Sequence, residues 1–258
     1  VPSYHYFADR LRGQSYLSSQ TSDAEATGQT FATFDFMDGW HVNSGAQNSY
    51  ISHMFRRAPG FFDVVAYTGD GTTSRTVNHG LGVVPEMMWV KRRGATGEWK
   101  VYHQALGESK ELVLNSSGTI ANSDAFNDTA PTETVFSVGL SYLLNASDTY
   151  IAYLFATVAG VSKVGSYTGD GTARTIDCGF SSGARFVLIK SSSEQEDWAV
   201  WDSERGIVAG DDPKLALNNT NAENDADWLD PDSSGFIVNG GAGQHNVSGR
   251  TYIFYAIA

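Results

Sequence analysis

The chain contains 258 residues, of which 41% are hydrophobic and 12% aromatic, so it is long and apolar enough to fold around a sizeable core. Its formal net charge is −12, and residues 194–232 alone carry twelve acidic against two basic side chains, which excludes a basic face that neutralises nucleic-acid phosphates. A single cysteine, Cys178, excludes an intrachain disulfide, and no apolar run approaches the roughly 18 residues of a membrane span, so we expect no membrane insertion.

The spacing of apolar runs favours an all-β fold. Glycine is frequent (27 residues) and proline scarce (6), and runs of four to eight apolar residues alternate with turn clusters. This pattern predicts tandem antiparallel β-sandwich repeats of a jelly-roll-like kind. No amphipathic run is long enough for the helices of a parallel α/β fold, and a short helical turn around 104–112 is the one exception that we expect.

Residues 1–58 match only the later part of a repeat that occurs in full further along the chain. His5 precedes a glycine by eight residues, as do Trp99 and Trp198, and residues 50–55 resemble the strand that closes each full repeat. The opening of this first copy, about 28 residues by the spacing of the second copy, is not found. We expect it upstream in a longer polypeptide, with supply by another chain as the alternative.

Residues 59–158 form the second copy, which opens with YTGDGT at 67–72. The motif is not a phosphate-binding loop, because GxxxxGK[ST] and a following helix are missing. Asp-Gly between threonines supplies the positive φ of a tight β-turn, so we predict that YTGDGT is the turn of a hairpin.

Residues 159–258 form the third copy, in which YTGDGT recurs at 167–172. The strand that ends in Lys91 corresponds to one that ends in Lys190. Short joints precede the second and third copies, which predicts that the domains are strung in a semi-rigid rod.

Two kinds of residue are candidates for ligand binding. Asp225, Asp227 and Asp230 lie in an acidic loop, where clustered carboxylates could bind calcium, although the order of an EF-hand is missing and a solvated surface is the alternative. Trp40 and Trp228 stand beside loops, where an exposed ring could stack on a ligand. Trp99 and Trp198, in contrast, occupy strand positions typical of a core.

No pair of carboxylates repeats at equivalent positions in the copies. His79 stands where the third copy has Cys178, and His103 stands where it has Asp202. We therefore predict no catalytic residues, no metal site and no cofactor, and we expect Cys178 to be a buried, unreactive thiol. A pair of carboxylates for glycan cleavage stays as a minor alternative.

The segment HGLGVVPEMMWVK at 79–91, coming after YTGDGT, resembles tail-fibre and tail proteins of tailed bacteriophages, especially marine and cyanophage-like ones. The resemblance covers 67–156 well, 167–258 with departures, and 1–58 in part. It implies a virion structural protein on a tail appendage, a homotrimer joined to other tail proteins, that acts outside the cell by contacting a bacterial surface glycan or protein. A purely structural virion part (collar, baseplate or head decoration) and a surface-polysaccharide depolymerase are the alternatives.

Overall fold

The computed structural model describes residues 4–27, 39–40, 50–139, 144–240 and 244–258. The predicted all-β, antiparallel fold is confirmed. Within these ranges the chain forms no α-helix, and in particular none long and apolar enough to cross a membrane. The helical turn expected around 104–112 is a loop that leads into a strand at Lys110–Val113, because Val101 and Leu112 pair across a ladder.

The described ranges contain nineteen strands, numbered in chain order. The first copy contains β1 (Tyr6–Ala8) and β2 (Tyr16–Ser18). The second contains β3 (Phe62–Thr68), β4 (Ser74–Asn78), β5 (Met87–Arg92), β6 (Lys100–His103), β7 (Lys110–Val113), β8 (Ala121–Asn122), β9 (Val135–Gly139) and β10 (Thr149–Phe155). The third contains β11 (Ser162–Thr168), β12 (Arg174–Asp177), β13 (Phe186–Ser191), β14 (Ala199–Asp202), β15 (Asp212–Ala216), β16 (Asn224–Ala226), β17 (Leu229–Asp232), β18 (Gly235–Val238) and β19 (Thr251–Ile257).

The second and third copies have the same topology. Each has a six-stranded sheet, in the order β3-β10-β5-β6-β7-β8 or β11-β19-β13-β14-β15-β16. A smaller sheet, β4-β9 or β12-β18-β17, packs on one face of it. Alternate side chains of the large sheet meet the small sheet in a core that belongs to that copy alone, which makes each copy a β-sandwich.

YTGDGT does not turn a hairpin, contrary to the sequence prediction. Strand β3 pairs with β10 and β4 pairs with β9, so the motif carries the chain from the large sheet to the small one. The corner is held from outside, because Gly71 N–H donates to the Asn145 carbonyl and the Asn145 amide donates to Asp70. A Cβ on Gly69 would overlap the Ala146 carbonyl, and Gly71 has a φ of +74°, so both positions require glycine.

A third core joins all three copies, and it replaces the predicted rod. The other face of each large sheet contributes to it, with residues such as Trp89 and Tyr153 from the second copy and Leu188 and Tyr255 from the third. Phe7, Leu17 and Phe55 of the first copy pack into the same cluster. These strands are apolar on both faces, so a rod would leave one face of every large sheet in water.

The described part of the first copy forms two short strands. Strands β1 and β2 pair in the same register as β6 with β7, since Phe7 lies opposite Leu17 as Val101 lies opposite Leu112. Residues 50–57 follow the sequence of the closing strands β10 and β19, but they belong to no ladder within the described residues.

Candidate functional site

The junctions between copies repeat in a cyclic order. Trp99 Nε1–H of the second copy donates to the Ser18 carbonyl of the first, at 2.9 Å. Trp198 Nε1–H of the third copy donates to the Val113 carbonyl of the second, also at 2.9 Å. By the ladder registers, Ser18 and Val113 are equivalent positions.

The first copy contacts the third copy at the equivalent place, which completes the cycle. His5 occupies the position of Trp99 and Trp198, and Ser19 Oγ–H beside it donates to the Leu217 carbonyl at 2.6 Å. The pKa of His5 is lowered to about 4, first by burial and then by Arg205 of the third copy, while the backbone of Ala216 acts in the opposite direction. Three related units therefore close around one core within a single chain.

Two buried lysines also join consecutive copies. Lys91 Nζ donates to the Asp23 carbonyl at 2.7 Å and to the Ser22 carbonyl at 3.2 Å, both in the first copy. Lys190 Nζ donates to the Ser117 carbonyl of the second copy at 3.3 Å. Burial lowers the pKa of each lysine to about 8.

A third contact comes from Tyr153, the fifth residue of the closing strand β10, and from its counterpart in the first copy. Tyr153 Oη–H donates to Asp9 at 2.8 Å and accepts from Arg12 at 2.7 Å, so β10 reaches the first copy. His53 of the first copy lies 3.1 Å from Asp202 of the third, and Asp202 occupies the position of Asp9. The sequence analysis did not predict these junctions, although it identified the repeated tryptophans, Trp99 and Trp198, and the repeated lysines, Lys91 and Lys190.

The structure buries one of the two predicted stacking rings. Trp228 is only 9% exposed, and Lys214 Nζ lies 4.0 Å above its ring, so a ligand cannot stack there without displacing the lysine. It is buried because its backbone pairs with that of Asn239, which turns the ring into the third copy's own core. Trp40 is half-buried.

The predicted acidic residues do not converge on one point. Asp225 is exposed on β16, and Asp227 accepts a hydrogen bond from the Asn239 amide. Asp230 lies on β17, near the buried Asp212. The pKa of Asp212 is raised first by burial and then by the negative charges of Asp230 and Asp227. No group of three or more His, Cys, Asp or Glu side chains in the described ranges could hold a metal ion.

The corresponding loop of the second copy borders an open depression of about 390 Å³. Its lining is polar and consists of Ser109, Asn122, Ser123, Asp124 and Asp128. By the β7–β8 and β15–β16 registers, Asn122 is equivalent to Asp225. The same surface position is thus an amide in one copy and a carboxylate in the next. We call this position and its loop the β8/β16 surface.

Sequence reasoning also missed a buried polar cluster in the third copy. The His245 ring lies 5.0 Å from the Trp201 ring and 5.3 Å from the Trp228 ring, edge to face in both cases. Among the described residues, neither nitrogen of His245 has a hydrogen-bond partner, nor does either indole nitrogen. Burial holds the pKa of His245 well below its ordinary value, so the imidazole is neutral.

Cys178 agrees with its prediction as a buried thiol. It is 5% exposed in the third copy's core, and burial raises its pKa to about 12. A buried, protonated thiol is a poor nucleophile, so both burial and the raised pKa disfavour reactions of Cys178 at neutral pH.

Comparisons with other proteins identify a family without an assigned role. Searches among curated proteins and among solved structures found no match. One family model, described as a domain of unknown function, DUF7483, matches residues 56–258, which include all of the second and third sandwiches. Since this match covers well over half of the sequence, the chain belongs to the DUF7483 family.

Proposed function

We propose that this chain is a structural protein of a phage virion, of the tail-fibre or tailspike type, that attaches the particle to a glycan or protein on the bacterial surface. One observation carries the proposal: three related β units share a single core, and two of them present different side chains, Asn122 and Asp225, at an equivalent surface position. Binding loops held on a rigid scaffold are the usual arrangement in recognition proteins.

The β8/β16 surface is the part of the molecule that best suits recognition. In the second copy it offers amide, hydroxyl and carboxylate groups around an open depression. In the third copy Asp225 stands exposed at the equivalent position. Such groups both donate to and accept from hydroxyls, which is what a sugar surface requires. A glycan is therefore the ligand class that we favour.

Closure of three copies also bears on assembly. The arrangement achieves within one chain what three subunits achieve in a cyclic homotrimer. Attachment to other tail proteins, oligomerisation as a homotrimer, and a location on a tail appendage outside the host cell form part of the same proposal.

The test is binding of purified, fluorescently labelled protein to a panel of bacteria, followed by competition with phage adsorption. Asp225→Asn gives the third copy the side chain of the second, and Asn122→Asp makes the reverse change. We expect at least one exchange to weaken binding about tenfold, as the loss of one hot-spot contact does. Glu133→Gln, a change to an exposed carboxylate elsewhere in the second copy, is the matched control.

Two results would contradict attachment. If the folded protein binds none of the bacteria while mass spectrometry finds it in virions, the purely structural role in a collar, baseplate or head decoration is correct instead. Release of reducing ends from capsule during incubation would establish a depolymerase.

A further inference from the structure

The first copy exposes side chains that the other two copies bury. Tyr50 is 60% exposed, whereas its equivalents Tyr150 and Tyr252 are fully buried. Met54 is 61% exposed, whereas Leu154 at the same position is fully buried. In the second copy these positions lie inside the sandwich, beneath the small sheet.

The backbone of this segment is equally uncovered. Strand β10 lies between β3 and β5 and hydrogen bonds to both, and β19 lies between β11 and β13. Within the described residues, no backbone hydrogen bond joins 50–56 to any other segment. A row of unpaired amides and carbonyls is a template for strand addition.

The segment nevertheless lies where a closing strand belongs. Phe55 packs 6.0 Å from Phe155 and 6.0 Å from Phe186, in the shared core. His53 contacts Asp202 as Tyr153 contacts Asp9. On its other side, β1 takes the place of β6 at the junction with the third copy.

These positions define an acceptor site for strands. In the second copy β5 lies between the closing strand β10 and β6, and in the third copy β13 lies between β19 and β14. The two outer strands of each set are therefore two strand spacings of about 4.8 Å apart. We propose that the first copy is a strand acceptor, which binds the opening segment of a further repeat of this type: a first strand, a YTGDGT corner, and an apolar strand that ends in lysine.

The chemistry of the bound strand follows from its two counterparts. Strands β5 and β13 are buried on both faces, as MMWVKR and FVLIKS, and each places its lysine on carbonyls of the preceding copy. Gln20, Asn115 and Asn218 are equivalent, because their side-chain oxygens accept from the backbone N–H groups of the equivalent residues His5, Trp99 and Trp198. The carbonyls that accept from Lys91 and Lys190 lie two residues after Gln20 and Asn115, at Ser22 and Ser117. The equivalent carbonyl for a lysine bound to the first copy is therefore that of Thr220, two residues after Asn218. A lysine is thus the residue that we expect at the fifth position of the bound strand.

The test adds this segment in its native register. In the full copy Glu98 directly precedes Trp99, the counterpart of His5, so residues 59–98 replace residues 1–4 in front of His5 and the rest of the chain is kept. Hydrogen exchange by mass spectrometry then reports on the amides of 51–56. We expect their exchange to slow by about a hundredfold, because closed ladders exchange only on opening. Nitration of Tyr50 should decrease with it.

The control fusion carries Val64→Asp and Val90→Asp in the added segment, two positions that are buried in the second copy. It has the same length and cannot pack. Equal exchange of 51–56 in the two fusions would overturn the proposal. So would a dimer of the unmodified chain, by sedimentation, in which 51–56 are already protected, since a second copy would then cover the site. Neither readout depends on host binding.

Discussion

The second and third copies have the same framework, but their interiors differ at a few positions. Both bind the YTGDGT corner through a buried asparagine, Asn145 or Asn246, and both direct a tryptophan and a lysine at the preceding copy. Where the second copy has Leu144 in its core, however, the third has His245, since Tyr67 and Tyr167 donate to the carbonyls of these two residues. The junction tryptophan and lysine are thus the same in both copies, whereas the interior differs at the position of Leu144 and His245.

This difference carries a cost in the third copy. Its core contains unpaired nitrogens on His245, Trp201 and Trp228, while the equivalent core of the second copy is built on Leu144 and Tyr102. Buried polar groups without partners destabilise a fold, although edge-to-face ring contacts recover part of the loss. The third copy should therefore unfold more readily than the second.

The strongest way to break the framework is to remove a junction tryptophan. Trp198→Ala and Trp99→Ala should each lower the free energy of unfolding by about 3–5 kcal/mol, because each deletes a fully buried ring and a hydrogen bond between copies. Denaturant unfolding measures both. Similar losses for the two variants would agree with equivalent roles, whereas a loss below the range for either would show that its junction contributes little.

Exchanging the residues at one core position, His245 and Leu144, tests the difference between the two interiors more directly. His245→Leu should raise the free energy of unfolding by about 1–3 kcal/mol, because it removes a buried group without partners. Leu144→His should lower it by a similar amount. Urea midpoints of the two variants give the sign, and stabilisation by Leu144→His would contradict the assignment.

The pH dependence of His245→Leu gives an independent check. The folded-state pKa of His245 lies below that of the unfolded state, so the unfolded chain binds the extra proton as the pH falls below about 6.5. The wild type should lose stability there more steeply than His245→Leu. His5 and His103, whose pKa values burial lowers to about 4, contribute the same slope to both proteins.

Replacing Lys91 or Lys190 should change the free energy of unfolding by as much as the His245 and Leu144 variants do, or by less. Lys91→Met and Lys190→Met each leave carbonyls of the preceding copy unpaired, at a cost of about 1–3 kcal/mol. The wild type should also gain stability between pH 8 and 10.5, because the folded lysines release their protons before the unfolded chain does. Thermal unfolding across that range should show a reduced gain in either variant.

The smallest effect is expected where the third copy meets the first. His53→Ala removes a partly exposed contact with Asp202 and should cost about 0.2–1 kcal/mol. Tyr153→Phe, which deletes a fully buried hydroxyl at the equivalent junction, is the comparison and should cost more. A larger loss for His53→Ala would mean that closure to the first copy dominates stability.

Much of the fold could be predicted because β patterning is local. The short apolar runs, the recurrence of YTGDGT and the matching strands that end in Lys91 and Lys190 all lie within single repeats. The hairpin prediction was wrong for a non-local reason: turn residues indicate where the chain reverses, but the ladder partner of β4 is β9, about sixty residues away. The prediction of ligand-binding residues was limited in the same way, because a residue beside a loop, such as Trp228, can direct its ring into the core.

The sequence by itself determined the class of fold, the repeat and the absence of an intrachain disulfide, because these follow from residue types and their spacing. Only the tertiary structure decided that the copies close on one core instead of forming a rod, that His245 is buried among tryptophans, and that 50–56 join no strand ladder within the described residues. The reason is that each depends on which apolar face meets which. Strands apolar on both faces show that a second partner is needed, and only the folded chain shows which one it is.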